Sequence, residues 1–322
     1  MTTNPLVTVA VSSYNNGRFI EETLDSIYNQ TYQHIELVII EDASKDDSAA
    51  IITGWLKTHA ARFANVIFVQ HETNKGVPAV GDAMFMNATG EFISFIASDD
   101  LMMPYKIEEQ VSLFNTLDDT YGVVYGDLIE VDSAGRPIKE PNFSKFKKED
   151  PDWKPYSGYV FPKMIDTFLF YLQTTLIRRK LFLEYNFSFK AGHVSEDWYV
   201  LLFFSRRCNV MGVDRVYTHY RIHDTSVSAQ IWTEEKYHTW CLSHVYMNHD
   251  VYAFEKNSRE EKEQIAAQIQ QNLMKYAYHP RAVYKTSMEA WRTISGDVGM
   301  KKALSLFFYI HWFPLKRMFK RS

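Results

Sequence analysis

Gly90-Glu91-Phe92-Ile93-Ser94-Phe95-Ile96-Ala97-Ser98-Asp99-Asp100 is an apolar run that ends abruptly in two adjacent carboxylates. The β-branched and aromatic residues from Phe92 to Ile96 favour an extended segment, and near-continuous apolarity suits a strand covered on both faces of its sheet. Asp99 and Asp100 then emerge at the carboxyl end of that strand, the edge where open α/β sheets collect ligands. Paired carboxylates there suit a divalent cation with positions left open for phosphate oxygens. Taken alone, the pair reads equally as a solvated turn or as a helix cap before Leu101-Met102-Met103-Pro104.

Working outward, strands and helices alternate. Leu6–Val11 reads as a strand followed by the loop Ser12-Ser13-Tyr14-Asn15-Asn16-Gly17. Phe19, Ile20, Leu24, Ile27 and Tyr28 then recur at helical spacing, with Glu21, Glu22 and Asp25 in the early turns, where the helix dipole favours anions. Ile35–Ile40 is a second strand ending in Glu41-Asp42, and the next helix carries Ile51, Ile52, Trp55 and Leu56. Val66–Val69 is a third strand, Asn74-Lys75-Gly76-Val77-Pro78 a turn, and Ala79–Ala88 a helix leading back to Gly90. This alternation predicts an α/β fold with a mostly parallel, Rossmann-like sheet flanked by helices. Tyr14, Asp42 and Asp99-Asp100 all fall just beyond strand ends, and therefore on one edge. No GxGxxG follows the first strand and no GxxxxGK[ST] occurs, so phosphates have to be held by a metal. A loop tyrosine can cover a base, and Asp42 can accept from a uracil N3–H or a ribose hydroxyl.

The 322 residues are enough for a large core, as one large domain or two smaller ones, and 46% hydrophobic content excludes wholesale disorder. A net charge of −4 carries no global basic field, so nucleic acid is not an expected partner. The two cysteines, Cys208 and Cys241, have no metal-finger spacing, which fits a reducing, cytoplasmic compartment. The first residues have neither the basic nor the apolar region of a signal peptide, and no apolar run reaches the ~20 residues a bilayer span needs.

Val7–Asn15, Ser26–Tyr32, Ile35–Ser48 and the opening stretch together resemble the GT-A-fold family 2 glycosyltransferases, inverting enzymes that use nucleotide sugars. The likeness runs over roughly residues 5 to 228. It implies that Asp42 binds the nucleobase and that Ser98-Asp99-Asp100 holds ribose and metal, with Asp100 as the direct ligand. Ser13 and Tyr14 join the donor contacts. The family often has arginine and asparagine where this chain has Gly81-Asp82; if that arginine helps bind the nucleotide, its role is empty here or passes to Lys75.

Met103–Leu117 reads as an amphipathic helix, Gly122–Asp127 as a strand and Ile129–Ile138 as a hairpin, while Lys139–Pro155, with little periodicity, reads as a mobile loop or a surface excursion. Tyr159–Arg179 returns to amphipathic patterning. Glu196-Asp197 opens a helix carrying Trp198, Leu201 and Leu202, with Ser195 as its cap; acids there need no catalytic explanation. By the family's order, however, the pair supplies the catalytic base, Asp197, with Glu196 supporting it. Displacement at an anomeric carbon needs one carboxylate to take the acceptor hydroxyl's proton, and a departing diphosphate needs charge stabilisation by Mg²⁺ or Mn²⁺. Val213–Tyr220 reads as a strand. After it, Arg221-Ile222-His223 resembles the family's loop over the donor phosphates, with His223 as a metal or phosphate contact and Arg221 as a charge neutraliser or a brace.

Beyond Ser228 the pattern is helical. His244 falls on a packed helix face, and Ser258 with Glu261 forms a capping-box pattern ahead of Ile265, Ile269, Leu273 and Tyr276. The stretch 299–322 mixes aromatics with lysine and arginine and has no acid, which suits an anionic membrane surface, a packed helix or a dimer contact. The expected organisation is a catalytic domain over 1–228, with a donor half to about 127 and a base-bearing half from 128, followed by a helical extension over 229–322. The expected activity is inverting transfer from a nucleoside-diphosphate sugar, UDP-linked, to a hydroxyl of a glycan or lipid-linked acceptor in bacterial surface polysaccharide synthesis. Its expected location is cytoplasmic or peripheral on the inner membrane face, with homo-oligomerisation through the C-terminal helices. A nucleotidyltransferase is the nearest rival, yet Ser12–Gly17 lacks the basic, Gly-rich density that such a loop needs. A non-catalytic sugar-nucleotide binder is the second rival, and it predicts loss of one of Asp42, Asp99, Asp100 or Asp197, all of which are present.

Overall fold

The computed structural model describes residues 4–189, 196–226, 244, 247, 248, 250, 251 and 257–276, with 269–276 described by backbone alone. These fall into two compact units, one drawn from Met1–Val160, Leu169–Ala191 and Phe204–His223, the other from Phe161–Phe168, Gly192–Phe203 and Asp224–Ser322.

The first unit is built on an eight-stranded sheet. Its strands are β1 (Val7–Ser13), β2 (Ile35–Glu41), β3 (Asn65–Gln70), β4 (Phe92–Ala97), β5 (Leu101–Met102), β6 (Tyr121–Val131), β7 (Thr175–Arg178) and β8 (Asn209–Arg221), in the spatial order β3-β2-β1-β4-β7-β6-β8-β5. Strands β3, β2, β1 and β4 are mutually parallel, as the alternation of elements requires. Every residue of β2 is buried, because helices cover both faces. On one face Val7, Val9, Val11, Leu37 and Ile39 pack with Leu24 and Ile27 of α1 (Ile20–Tyr28) and Ile52 and Trp55 of α2 (Ser48–His59). Helix α3 (Val77–Asn87) starts two residues earlier than the sequence suggests, with Pro78 in its first turn, where a missing N–H costs nothing.

Three expectations change here. Leu101-Met102, to which the sequence assigns no element, forms β5, paired antiparallel with β8, and helix α4 is confined to Lys106–Phe114 rather than running over Met103–Leu117. The amphipathic stretch Tyr159–Arg179 contains β7, which inserts antiparallel between β4 and β6. Four residues with no alternation of their own are too few to show as a strand until neighbours supply their hydrogen bonds. Lys139–Pro155 is not a bare loop. It carries α5 (Ser144–Glu149), the buried Phe143 donates its N–H to Asp127 Oδ2 at 2.7 Å, and Trp153 stacks on Phe146 with centroids 4.8 Å apart.

In the second unit, α6 (Phe161–Asp166) buries Phe161, Met164 and Ile165. Trp198 donates its indole N–H to Met164 O at 2.9 Å and meets the buried His244 edge-on at 5.1 Å, so that histidine is a packed residue. The capping box forms as read: Ser258 N–H donates to Glu261 Oε2 (2.6 Å) and Glu261 N–H to Ser258 Oγ (3.1 Å). Helix α7 (Lys180–Glu184) belongs to the first unit; α8 (Glu196–Ser205) begins in the second and ends in the first. Ser195, Cys241, Pro280 and the stretch 299–322 lie outside the described residues.

Candidate active site

The parallel ladders against β1 continue one residue past β2 and β4, because Asp42 N–H donates to Ser13 O (2.9 Å) and Ser98 N–H to Ser12 O (3.0 Å). This brings Ser13, Tyr14, Asp42, Ser98, Asp99 and Asp100 to one edge, where strand-end arithmetic placed them. Crossed hydrogen bonds stiffen the loops above: Asn15 N–H donates to Ser44 Oγ (2.9 Å), Lys45 N–H to Asn15 Oδ1 (2.8 Å), Gly17 N–H to Asp46 Oδ2 (2.8 Å) and Asn16 Nδ2 to Ser98 Oγ (2.9 Å). Asn15 and Ala43 hold φ of 53° and 59°, left-handed backbone that a non-glycine residue adopts at a cost of ~1–2 kcal/mol and that collects at functional sites. Tyr14, in the loop after β1, is 42% exposed.

Asp42 is almost fully buried. Its Oδ1 accepts from His71 Nδ1 (2.7 Å) and Lys75 N–H (2.9 Å), and its Oδ2 from Gly76 N–H (2.8 Å). It therefore organises the turn into α3, and among the described donors three of its roughly four acceptor positions are taken. Lys75 is tied in by its backbone, with an exposed side chain. His71 had no sequence signal, since an isolated histidine after a strand has none. The same holds for the buried Glu41, register partner of Ser13: Glu41 Oε2 and Ser13 Oγ have no hydrogen-bond partner among the described residues.

At the tip of β4, Asp99 Oδ2 lies 3.0 Å from His223 Nε2, and the imidazole rests on Phe19 at 4.6 Å. Asp100 is 1% exposed, and its Oδ1 accepts Arg221 N–H at 2.9 Å. Burial first, and the negative charge of Asp99 second, push the Asp100 carboxyl well above the usual carboxylate range. Arg221 is fully buried and is a brace: Nε donates to Asp99 O (2.8 Å), one terminal nitrogen to Ser133 O (2.8 Å) and the other to Glu22 Oε2 (2.6 Å), while the guanidinium lies 4.7 Å over the Phe19 ring. Of the two roles open to Arg221 in the sequence, the geometry favours bracing. Glu22, Ser133 and Phe19 complete this clamp, and their long sequence separations hid it.

The donor set fits a hard or borderline divalent cation. Asp99 and His223 touch at the tip of β4, and Asp100 is a buried acid next to Asp99 in the chain. Among the described residues no group of three or more His, Cys, Asp or Glu side chains is placed to hold a metal ion.

Glu196 and Asp197 open α8 in the second unit. Desolvation first, and the charge of Asp197 second, raise Glu196 to about 8; desolvation also raises Asp197, whose Oδ1 accepts Trp198 N–H at 2.8 Å. Burial thus disfavours the charged form of both neighbouring acids, and at Glu196 the charge of Asp197 adds to it.

The family description "Glycosyl transferase family 2" matches residues 8–184, more than half of the chain. The chain belongs to this family. It is 28% identical to an uncharacterized glycosyltransferase of Rickettsia typhi over 70% of this chain and 67% of that one, and 29% identical to the putative glycosyltransferase EpsH of Bacillus subtilis over 69% and 62%. An uncharacterized glycosyltransferase of Rickettsia felis is 32% identical over 42% of this chain, which spans only 21% of that protein. Among solved structures, S. aureus TarS with UDP-GlcNAc matches with a TM-score of 0.69 at 16% identity, covering 94% of this chain and 86% of TarS. The Pyrobaculum calidifontis mannosyltransferase PcManGT with GDP-Man and Mn²⁺ matches at 0.57 and 19%, covering 95% and 79%. The fold of this family 2 glycosyltransferase is thus GT-A, a mixed, mostly parallel Rossmann-like sheet flanked by helices. No described helix is long and apolar enough to cross a membrane.

Proposed function

We propose that this glycosyltransferase transfers a sugar from a UDP-sugar to a hydroxyl group with inversion at the anomeric carbon. The observation that carries the reading is the edge of the first unit, where Asp42 and the Asp99-Asp100-His223 group follow parallel strands on either side of β1. Asp42 supports uridine. With its carboxylate already accepting three hydrogen bonds, it has room for one more donor, which suits the single imino N–H of uracil rather than the two parallel N–H groups of guanine. Tyr14 offers its exposed ring to the base, Ser13 and Ser98 flank the ribose, and Lys75 faces the phosphates. Asp100 and His223, with Asp99 beside them, would hold an Mn²⁺ or Mg²⁺ ion, which would supply charge neutralisation to the diphosphate.

In this reading Asp197 accepts the proton of the acceptor hydroxyl as its oxygen bonds to the anomeric carbon. The bond from that carbon to the β-phosphate oxygen breaks, and its electron pair leaves with UDP, which needs no proton. Glu196, pushed up to about 8 by burial and by the charge of Asp197, supports that base from the adjacent position. The acceptor is read as a growing bacterial surface glycan on a lipid carrier; the basic, aromatic composition of residues 299–322 and the family likeness support this, along with a peripheral place on the inner membrane face.

Thermal shift with Mn²⁺ against a panel of nucleotide sugars tests the donor, since a ligand that binds only the native state raises its apparent stability. UDP-sugars are expected to shift the midpoint and GDP-sugars not; a larger shift with GDP-sugars refutes the argument from Asp42. Asp197→Asn should abolish transfer while UDP and Mn²⁺ still bind by calorimetry, and a variant that retains transfer removes Asp197 from its role.

A further inference from the structure

The Asp42 carboxylate shares its strand edge with a histidine. Strands β2 and β3 run parallel with Glu41 opposite Gln70, so the residues that follow them, Asp42 and His71, come side by side. His71 N–H extends that ladder by donating to Glu41 O at 2.9 Å. The two side chains then meet, with His71 Nδ1 at 2.7 Å from Asp42 Oδ1 and only 7% and 4% of their side-chain surfaces exposed. A carboxylate oxygen is an acceptor only, so Nδ1 carries the hydrogen and donates it.

The donors around Asp42 are unevenly shared between its oxygens. Oδ1 accepts two, from His71 Nδ1 and Lys75 N–H, whereas Oδ2 accepts one, from Gly76 N–H. With about two acceptor positions on each oxygen, Oδ1 is filled and Oδ2 keeps one position open. Two of these donors belong to the main chain of the turn into α3. The imidazole is the side-chain donor of the set, and so the one that a substitution can remove.

We propose that His71 is a positioning and specificity-determining residue for the nucleobase: by filling Oδ1 it holds Asp42 to a single open acceptor position, on Oδ2, and so selects a base edge with one N–H over an edge with two. Without the imidazole each oxygen has one open position, and two parallel acceptors match the two N–H groups of guanine. A ligand N–H held against a filled Oδ1 would be left unpaired beside a buried pair, which is where a missing hydrogen bond costs most. His71 acts through Asp42 and rests on the reading of Asp42 as the base contact given above.

Calorimetric dissociation constants of UDP and of GDP, each with Mn²⁺, are measured for the full chain and for His71→Ala, His71→Leu and His71→Asn. The wild type should favour UDP. His71→Ala should weaken UDP about tenfold, the effect of losing one charge-assisted hydrogen bond that orients the carboxylate, and should leave GDP unchanged or bind it more tightly. The preference for UDP over GDP then falls by about tenfold or more. His71→Leu fills the ring's space without a donor and should show the same fall, which separates lost packing from the lost hydrogen bond and serves where the alanine variant does not fold. His71→Asn carries its amide nitrogen one bond from Cγ, as Nδ1 is, and should keep the preference within about threefold. Equal losses for both nucleotides in His71→Leu, with the preference unchanged, overturn the proposal, as does His71→Asn lying no nearer the wild type than His71→Leu. A wild type that favours GDP, or that binds neither nucleotide, refutes the reading of Asp42 and the role of His71 with it; a wild type that favours UDP beside an indifferent His71→Leu refutes the role of His71 alone.

Discussion

Lys106 should destabilise the fold it sits in, and replacing it with methionine should stabilise the protein by more at low pH than at high pH. The residue is fully buried at the first turn of α4, where the helix dipole also disfavours a cation. Its ammonium donates to Ser94 Oγ (2.6 Å) and Thr175 O (2.9 Å), and burial lowers it from 10.5 to about 7. A drop of that size corresponds to roughly 4–5 kcal/mol at ~1.4 kcal/mol per unit, an upper bound on the cost of the charged form. The unfolded chain binds the proton more tightly, so the cost is fully present below pH 7 and declines as pH rises from about 7 towards 10.5. Lys106→Met nearly conserves volume and leaves Ser94 Oγ donating to Thr175 O at 3.0 Å, so no donor is orphaned. In urea titrations the stability of the variant minus that of the wild type should shrink by roughly 2–3 kcal/mol between pH 6 and pH 9. A difference that is flat across this range, or that grows with pH, refutes the reasoning.

Arg221→Met should destabilise by roughly 2–4 kcal/mol, because it orphans the Asp99 and Ser133 carbonyls inside the protein. It should also weaken Mn²⁺ binding by calorimetry, and a variant as stable as the wild type removes the brace. The Glu22 partner is 58% exposed at its side chain, so Glu22→Gln should change stability by less than about 1 kcal/mol in the same titration. Ser258→Ala, which removes half of the capping box, should cost about 1 kcal/mol of the helix beginning at Arg259, measurable as faster hydrogen exchange there. Removing residues after Gly299 should weaken co-sedimentation with anionic vesicles, and unchanged binding would dispose of the membrane reading.

Much of this sheet edge was legible because its signals are local. Strand propensity and the alternation of strands with helices placed Tyr14, Asp42, Asp99 and Asp100 beyond strand ends, and parallel ladders then put those ends side by side. The Ser258–Glu261 box lies within one helical turn and could be read from four letters. Strand β7 could not, since its four residues pair with partners fifty or more positions away in the chain. Asp42 was found but its company was not: His71 reaches it across 29 positions. The Gly81-Asp82 departure was visible as an anomaly, and only the fold showed Phe189 against it.

The sequence by itself determined which elements form and which acids stand at their ends, because propensity, periodicity and capping act over a few residues. Tertiary structure alone decided what those acids are bonded to. Arg221 braces Asp99 through its carbonyl and binds Asp100 through its own amide, 121 positions away, and Asp100 is pushed upward by burial that only packing creates. Charge, hydrogen bonding and desolvation depend on distances in space, and the chain's order says little about those until its sheet is assembled.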